Sequence, residues 1–537
     1  MTFLCAGSLS FSLLLVAGLL GILVYFGMGY FWPSPLELFE TKSGETFLAE
    51  QQGRRVSRGS MIANSGDTRA EEQHELYLKV GSRDVFPIDF RWVAESDIVK
   101  KSRPKDVAVF ERYEHGVFYG RIKDVRRGDK LLAEGHEASL AKLGELMPIK
   151  ALARDEVHYI EKIEAGDHAY YVNGLQEKLQ CLERSSLSKE ERSAKAKPLQ
   201  EELETLSGEY ARIEARLLDK RKALEEETVT LELVDGRTLT EPASEIFWVY
   251  EPNKMGLLDQ LQHFFAKIWE FLSDDPREAN TEGGIFPAIF GTILMVFLMT
   301  FIVTPLGVLA ALYLREYATQ GTFVALVRIA VNNLAGVPSI VFGLVGLGFF
   351  VYFLGGAIDS IFYPCTLNNA PTFGTGGVLW GALTLALLTI PVVIVATEEG
   401  LASVPREVRQ GSLALGATKW ETTLKVVIPA ASPGILTGVI LAIARAAGEV
   451  APLMIVGMVK LADLPFDHHF PYMHLEAKFM HLGFHIYDLG FQSPNAEATR
   501  PLVYATALLL ILLVTLMNVM AIALRNHLRS KYSTSAV

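Results

Sequence analysis

Six stretches of this chain, residues 9–31, 286–314, 323–354, 376–397, 433–458 and 501–524, are apolar over lengths that can cross a bilayer. A helix needs about 20 apolar residues to span the hydrocarbon core. Within lipid, every backbone donor and acceptor has to be satisfied inside the structure, so such segments are helices. Charged residues make up 21% of the 537, and they crowd residues 37–282, whereas 285–525 is mostly apolar with short polar breaks. This segregation predicts a mainly α body of six transmembrane helices with a soluble insertion over 34–285. A mean hydropathy of +0.25 is too apolar for an ordinary soluble enzyme.

The first stretch differs from a cleaved secretory signal. Residues 1–8 carry no Lys or Arg, the apolar run is long, and no small-residue cleavage site precedes Trp32-Pro33. An uncleaved anchor over 1–33 is the better reading. Orientation follows from Lys and Arg in the short loops. With the N-terminus inside, Arg315 and Arg328, then Arg406, Arg409, Lys419 and Lys425, then Arg525, Arg529 and Lys531 lie on the inner side. Only Lys460, Lys478 and Arg500 fall outside, and nine against three places both termini in the cytoplasm. Residues 34–285 are then external, and 526–537 form a cytoplasmic tail.

Other function classes find no support. A net charge of −11 without a long basic run gives no footing for nucleic-acid binding. Cys5, Cys181 and Cys365 have no metal-like spacing and allow at most one disulfide. No Cys/His pair, His-Glu-x-x-His or serine nucleophile turn suggests an enzyme. A phosphate-cradling loop needs Gly-x4-Gly-Lys-Ser/Thr; Gly411 and Gly416 have that separation, but Ala417 and Thr418 follow.

The inner loop 398–432 carries the most informative local pattern. Pro405 can open a helix, Leu413 and Leu415 supply apolar contacts, and Gly416 can break it. Trp420–Ile428 then reads as a second short helix ended by Pro429. A helix–Gly–helix hairpin is a compact knob suited to a groove in a partner. It resembles the EAA loop of ABC importer permeases: a triplet at Gln410-Gly411-Ser412, a glycine at Gly416, and an Ile-x-Leu-Pro-like end at Val426-Val427-Ile428-Pro429. The triplet departs from the family in having Gln for Glu and Gly for the first Ala. The resemblance implies that Glu407, Gln410, Gly411, Ser412, Leu415, Gly416, Ala417, Trp420 and Pro429 contact a separate ATPase. ATP and Mg are then bound by that subunit, and this chain holds no cofactor.

Three further stretches in 286–525 are similar to the PstA-type, phosphate-specific permeases. They are Tyr313-Leu-Arg315-Glu316-Tyr317, Asn332-Asn333-Leu-Ala-Gly336-Val-Pro338-Ser339-Ile-Val-Phe-Gly343, and Ala444-Arg445-Ala-Ala-Gly448-Glu449-Val-Ala451-Pro452-Leu453. The resemblance implies a phosphate importer built with a PstC-type permease, a PstB-type ATPase dimer and a periplasmic phosphate-binding protein in the bacterial inner membrane. The residues fit that chemistry. Arg445 and Glu449, four apart, share one helical face, and charges within a span normally face a polar path or one another. A guanidinium fork matches two phosphate oxygens. Glu449 could hold the empty arginine or orient the anion, and a purely structural ion pair is the alternative. Gly336, Pro338 and Gly343 break the third span, where Asn332, Asn333 and Ser339 supply polar contacts for gating or packing. Arg328 is expected to reach the lipid interface.

The insertion reads as a small β domain interrupted by helices. Leu76–Val80, Phe86–Trp92 and Val117–Ile122 alternate like strands, and Thr228–Val234, Asp235-Gly236 and Arg237–Leu239 read as a hairpin. Residues 174–227 are helical and charged, with a heptad seam through Leu203, Tyr210, Leu217 and Leu224 starting at Pro198. That seam packs either on an arm through Leu175, Leu179 and Leu182 or on another subunit. The loop 459–500 holds His468, His469, His474, His481 and His485. His481 and His485 would share a helical face and invite a zinc hypothesis, but contact between this exposed loop and a substrate-delivering protein is the preferred expectation. A permease for sulfate or molybdate, and a membrane sensor that has lost transport, are the rival readings.

Overall fold

The computed structural model describes residues 2–533 apart from 58–72, 82–83, 87, 186, 365–370, 471 and 494–495. Pro87, Cys365 and the end of the predicted tail therefore lie outside the described residues. The first helix, α1 (Thr2–Gly29), is apolar throughout, and it is followed by a compact unit over 31–270 and 276–283.

That unit is built on two antiparallel sheets. β1 (Leu36–Thr41), β2 (Thr46–Val56), β3 (His74–Lys79), β4 (Phe90–Ala94) and β5 (Ile98–Ser102) pair in the order β4-β3-β2-β1-β5. The second sheet contains β6 (Ala108–Arg112), β7 (Val117–Arg127), β8 (Lys130–Glu134), β9 (Glu227–Glu232), β10 (Thr238–Pro242) and β11 (Ile246–Tyr250). Its order is β10-β9-β7-β6-β11, with β8 on β7. Gly236 supplies the left-handed residue of the predicted hairpin turn at φ 86°, and Leu239 stands opposite Leu231. Phe110, Phe118, Ile122, Val229 and Leu231 are buried together. In β6, the wholly buried Arg112 is neutralised by Asp84 at 2.9 Å and by Glu241, and bonds to the carbonyls of His115 and Gly116. The strand expected over 86–92 begins only at Phe90: Phe86 instead lies beneath the Arg237 guanidinium, 4.7 Å from its ring centre.

The helical hairpin is longer than its sequence pattern indicates. α2 (His136–Tyr159), a π-helical turn over Ile160–Glu164 and α3 (Ala165–Arg184) form one arm, and α4 (Lys189–Leu224) the other. The helical region thus starts at 136 rather than 174, because Leu143 and Leu146 of α2 cover the second sheet. The return arm starts at Ser188 rather than at Pro198. Ser188 and Glu191 form a reciprocal capping box, whose two satisfied donors mark a helix start more firmly than a proline. The arms are bridged by Lys220 to Glu156 at 2.7 Å, Arg221 to Glu161 at 2.9 Å, and Arg216 to Glu164, so the hairpin packs on itself. The unit closes with the amphipathic start of α5 (Leu257–Ser273).

The second unit contains α1 and the chain from 284 onward. Its helices are α6 (Phe286–Leu312), extended by a π turn to Tyr317; α7 (Thr322–Leu334); α8 (Ser339–Val345), running through π-helical turns into α9 (Gly356–Phe362); and α10 (Val378–Ala402). After these come α11 (Arg406–Ala414), α12 (Lys419–Thr422), α13 (Ile428–Ala447), α14 (Ala451–Val456), α15 (Leu482–Tyr487) and α16 (Ala496–Ser533). Among the described residues, six helical segments are long and apolar enough to cross a membrane, so the protein is mainly α and multi-pass.

α10 is the hub. Two-thirds of its most apolar window is buried, against 6% for α1 and for α16. Met295, Met299 and Val303 of α6 meet Leu385, Leu388 and Val393 of α10 and Ala442 and Ala446 of α13. Small residues set the helix spacing: a Cβ on Gly434 of α13 would sit 3.2 Å from the backbone nitrogen of Gly400 of α10. α1 meets α16 in the same way, since a Cβ on Gly27 would lie 3.1 Å from the backbone of Ala505.

Two predicted spans are revised. The third, expected over 323–354, is divided at residues 335–338 into α7 and a spanning helix that starts at Ser339. The fifth, expected to begin after Pro429, is instead continuous with the helix before it, from Lys419 to Ala447. A proline ring clashes with the carbonyl four residues back and lacks a donor. The π turn over Thr423–Val427 lies just ahead of Pro429, and the helix continues through the proline without ending.

Candidate functional site: an exposed knob and a broken span

The loop after α10 folds as a helix–turn–helix. Pro405 precedes α11 in extended conformation, and α11 ends in a turn whose pivot is Gly416 at φ 86°. The amide of Gly416 bonds to the carbonyl of Leu413 at 3.0 Å, and the amide of Ala417 to that of Ser412 at 3.3 Å. These close the exposed end of α11 as glycine-terminated helices do. Thr418 and Glu421 then cap α12 reciprocally, and the hydroxyls of Ser412 and Thr422 join the two helices at 2.9 Å.

The outer surface of the knob is apolar. Leu415 is 90% exposed and Trp420 58%, while Glu407, Gln410 and Gly411 are also exposed around them. Pro429 lies at the start of α13, half-buried. The structure thus brings Ser412, Leu415, Gly416, Ala417 and Trp420 into one turn.

An anchor for this knob was not apparent from the sequence. Arg409 donates to the carbonyls of Val404 at 2.7 Å and Leu401 at 2.6 Å, and pairs with Glu316 at 3.1 Å. Glu316 belongs to the π turn that ends the α6 segment. Lys419 places its ammonium 4.8 Å from the Tyr317 ring centre. Nothing in the local sequence marks the pair, because Glu316 and Arg409 lie in different polar breaks of the chain.

The remaining site residues fall into two places. In the first, Arg445 and Glu449 pair at 3.6 Å with side chains 31% and 20% exposed. They do not share a helical face as expected, because α13 ends at Ala447 and Gly448 caps it. The chain then turns into α14, whose Pro452 lies against Gly343 of α8: a Cβ on Gly343 would sit 2.7 Å from the proline Cα. Ser339 opens α8.

In the second, Asn332 lines a cavity of about 260 Å³ together with Arg315, Arg328, Glu398 and Glu399. Arg328 does not reach outward as expected; it pairs with Glu398 at 3.1 Å and Gln320 at 2.9 Å. Asn333 is exposed on α7. Among the described residues, no hydrogen bond or ion pair links Arg445 or Glu449 to Asn332, Asn333 or Ser339.

The histidine loop is folded inward at its C-terminal part, whereas His468, Phe470 and Tyr472 stay exposed. His481 and His485 are 1% and 2% exposed, so they cannot form the docking surface expected of them. His481 caps α15 by accepting from the Gly483 amide at 3.1 Å, and the Leu482 amide bonds to Thr292 of α6 at 2.9 Å. Met480 passes directly against Gly291. Burial holds the imidazole of His481 at about 4, and burial with the nearby Lys460 ammonium holds that of His485 at about 3. Lys460 in turn pairs with the buried Asp488 at 3.0 Å. Among the described residues no three His, Cys, Asp or Glu side chains are grouped for a metal.

Residues 303–531 match the family described as "Binding-protein-dependent transport system inner membrane component". The phosphate transport system permease protein PstA of Yersinia pestis is 35% identical over 315 residues, which cover 55% of this chain and 97% of that protein. The chain belongs to this family. The permease is also 38% identical over 174 residues to the phosphate transport system permease protein PstA 1 of Mycobacterium tuberculosis, covering 32% of this chain and 51% of that one. With the probable ABC transporter permease protein YqgH of Bacillus subtilis it shares 34% identity over 204 residues, 37% of this chain and 62% of the other. The permease thus spans between half and two-thirds of the length of these last two relatives. Among solved structures, the inward-facing methionine ABC transporter MetNI is similar over 45% of this chain and 94% of that one, at 18% identity and a TM-score of 0.33.

Proposed function

We propose that this permease is one of two membrane subunits of an ATP-driven inorganic phosphate importer. Its partners are a PstC-type permease, a cytoplasmic PstB-type ATPase dimer that holds ATP and Mg, and a periplasmic phosphate-binding protein. Both termini are cytoplasmic and residues 34–285 periplasmic, in keeping with the Lys and Arg distribution. The knob from Glu407 to Trp420 is the surface offered to the ATPase. Its exposed Leu415 and Trp420 are the apolar contacts, and Glu407, Gln410 and Gly411 surround them.

The observation that carries the reading is the Arg445–Glu449 pair at the break between α13 and α14. Its 3.6 Å separation and partial exposure leave the guanidinium able to exchange a carboxylate for a phosphate. Glu449 keeps the empty site neutral, which lowers the cost of a charge at membrane depth. When phosphate takes the arginine, the freed carboxylate repels it and favours its onward movement. Names of relatives at 35% and 38% identity support phosphate over other oxyanions. Asn332 and the cavity beside Arg315 and Arg328 suit a later polar station on the same route.

The test is uptake of labelled phosphate, with excess unlabelled sulfate, in cells lacking this gene and in cells given it back. Restored uptake that disappears with Arg445→Ala supports the assignment. Failure to restore, with the protein inserted and its partners present, overturns the substrate.

A further inference from the structure

The polarity of α5 is inverted for a helix that borders a folded domain. His263 and Glu270 are buried, and the ring of His263 lies 4.9 Å from that of Trp248 and 4.3 Å from that of Tyr250. Lys267 is enclosed between Glu111 and Glu270, 4.8 Å from the centre of the Trp248 ring. The helix thus turns its polar side toward the sheet. Its outward side carries Leu257, Leu258, Leu261, Phe265 and Trp269, exposed by 73%, 82%, 40%, 65% and 70%. At 100° per residue these five fall within about 120° of the helical circumference, with no charged residue among them. An aqueous surface gives no reason to arrange a helix in this way.

Four contacts, along the helix and just past its end, point to what covers that side. The ring of Phe264 lies 5.8 Å from Trp32 and 6.4 Å from Phe31, just beyond the end of α1 at Gly29. The carbonyl of Phe271 accepts from the Ile285 amide at 2.9 Å, and that of Asp274 from Phe286 at 3.2 Å, where α6 begins. Its middle and its end are therefore tied to residues where two membrane-crossing helices emerge. Since α1 and α6 are long and apolar enough to cross a membrane, a bilayer around them would have its surface beside these points.

We propose that the Leu257–Trp269 side of α5 is a lipid-binding surface, seated in the outer face of the bilayer at the level of the headgroups and upper acyl chains. Leucine and phenylalanine enter the acyl region while tryptophan occupies the interface, as in interfacial helices elsewhere. The ion pairs of Lys267 remain on the protein side and need no lipid charge. This assignment is independent of which substrate is carried.

The full-length chain, placed in nanodiscs of phosphatidylethanolamine and phosphatidylglycerol, tests it. Photoreactive p-benzoylphenylalanine replaces Leu258 or Phe265, with Leu131, exposed on β8, as the comparison. Lipid adducts by mass spectrometry at 258 and 265, but not at 131, are expected. Absence of lipid adducts at both positions, or cross-linking there to a protein partner alone, overturns the proposal. An unmodified chain labelled with a bilayer-confined carbene reagent covers the case of a variant that fails to fold. Labelled peptides from 257–269 support the proposal, and their absence overturns it.

Discussion

Gly416 and Gly343 are both positions where a side chain would be costly, for different reasons. Gly416 has open space around it but a φ of 86°. A β-branched residue there is strained by about 1–2 kcal/mol, whereas asparagine tolerates that conformation. Gly416→Val is therefore expected to weaken substrate-stimulated ATP hydrolysis in the assembled transporter, and Gly416→Asn to preserve most of it. Equal loss in both would mean that the glycine acts by size and not by backbone conformation. Gly343 is the converse, with ordinary backbone and no room. A Cβ would press on the backbone of Pro452, and overpacking of this kind costs about 1–3 kcal/mol. Gly343→Ala should lower the thermal midpoint of the detergent-solubilised protein; an unchanged midpoint would show that α8 and α14 can separate freely. For Arg445, lysine keeps the charge but loses the planar fork. Arg445→Lys is expected to retain part of the uptake that alanine abolishes, with a raised KM for phosphate. Full loss in both variants would instead mark the fork as indispensable.

Elements show where the sequence was readable. The knob was legible almost residue by residue because its signals are local: a proline before α11, a glycine after it, and a next helix that starts at Lys419, one residue from the expected Trp420. The six apolar segments were legible for the same reason, as hydropathy needs no knowledge of neighbours. Four features were not. The π turn before Pro429 has no residue signature, so the proline looked like a terminus. α2 has a weak apolar period because its inward side mixes Leu143 and Leu146 with the buried Ser139 and with Lys150, which pairs with Glu227. The helix break at Gly448 removed Glu449 from the register on which its pairing was argued, although the pair forms through the turn. Arg409 and Glu316 were invisible as a pair because their encounter depends on how α6 and the loop pack. That contact, with two charge-assisted hydrogen bonds to carbonyls, is worth about 1.5–3 kcal/mol per bond. Arg409→Ala should loosen the knob, seen as faster protease cleavage between 402 and 418, while the folded body persists. Cleavage at the original rate would mean that the Ser412–Thr422 bond suffices.

At the scale of the whole molecule, two buried histidines couple stability to pH. His481 and His485 have values near 4 and 3 when folded, against 6.5 when exposed in the unfolded chain. Below pH 6.5 the unfolded chain binds protons that the folded one refuses. Their contribution is thus complete above 6.5 and is lost as pH falls toward 4 and 3, by about 1.4 kcal/mol per pH unit for each group. The thermal midpoint of the purified protein should fall between pH 7 and 5, and His485→Gln should reduce that slope. An unaltered slope would assign the pH dependence to other groups. The sequence placed these residues in an external loop but gave no sign of burial, since the backbone of Met480 passing against Gly291 is a long-range event.

The contact of Arg409 with Glu316 has a mechanical consequence. Two stretches almost a hundred positions apart in the chain are hooked together at one edge, so a load applied to Leu415 or Trp420 has two routes into the body. One runs along the unbroken helix from Lys419 to Ala447 and terminates at Arg445. The other crosses the hook to the end of the α6 segment and the rim lined by Arg315. The same surface thus leads both to the Arg445–Glu449 pair and to the cavity beside Arg315.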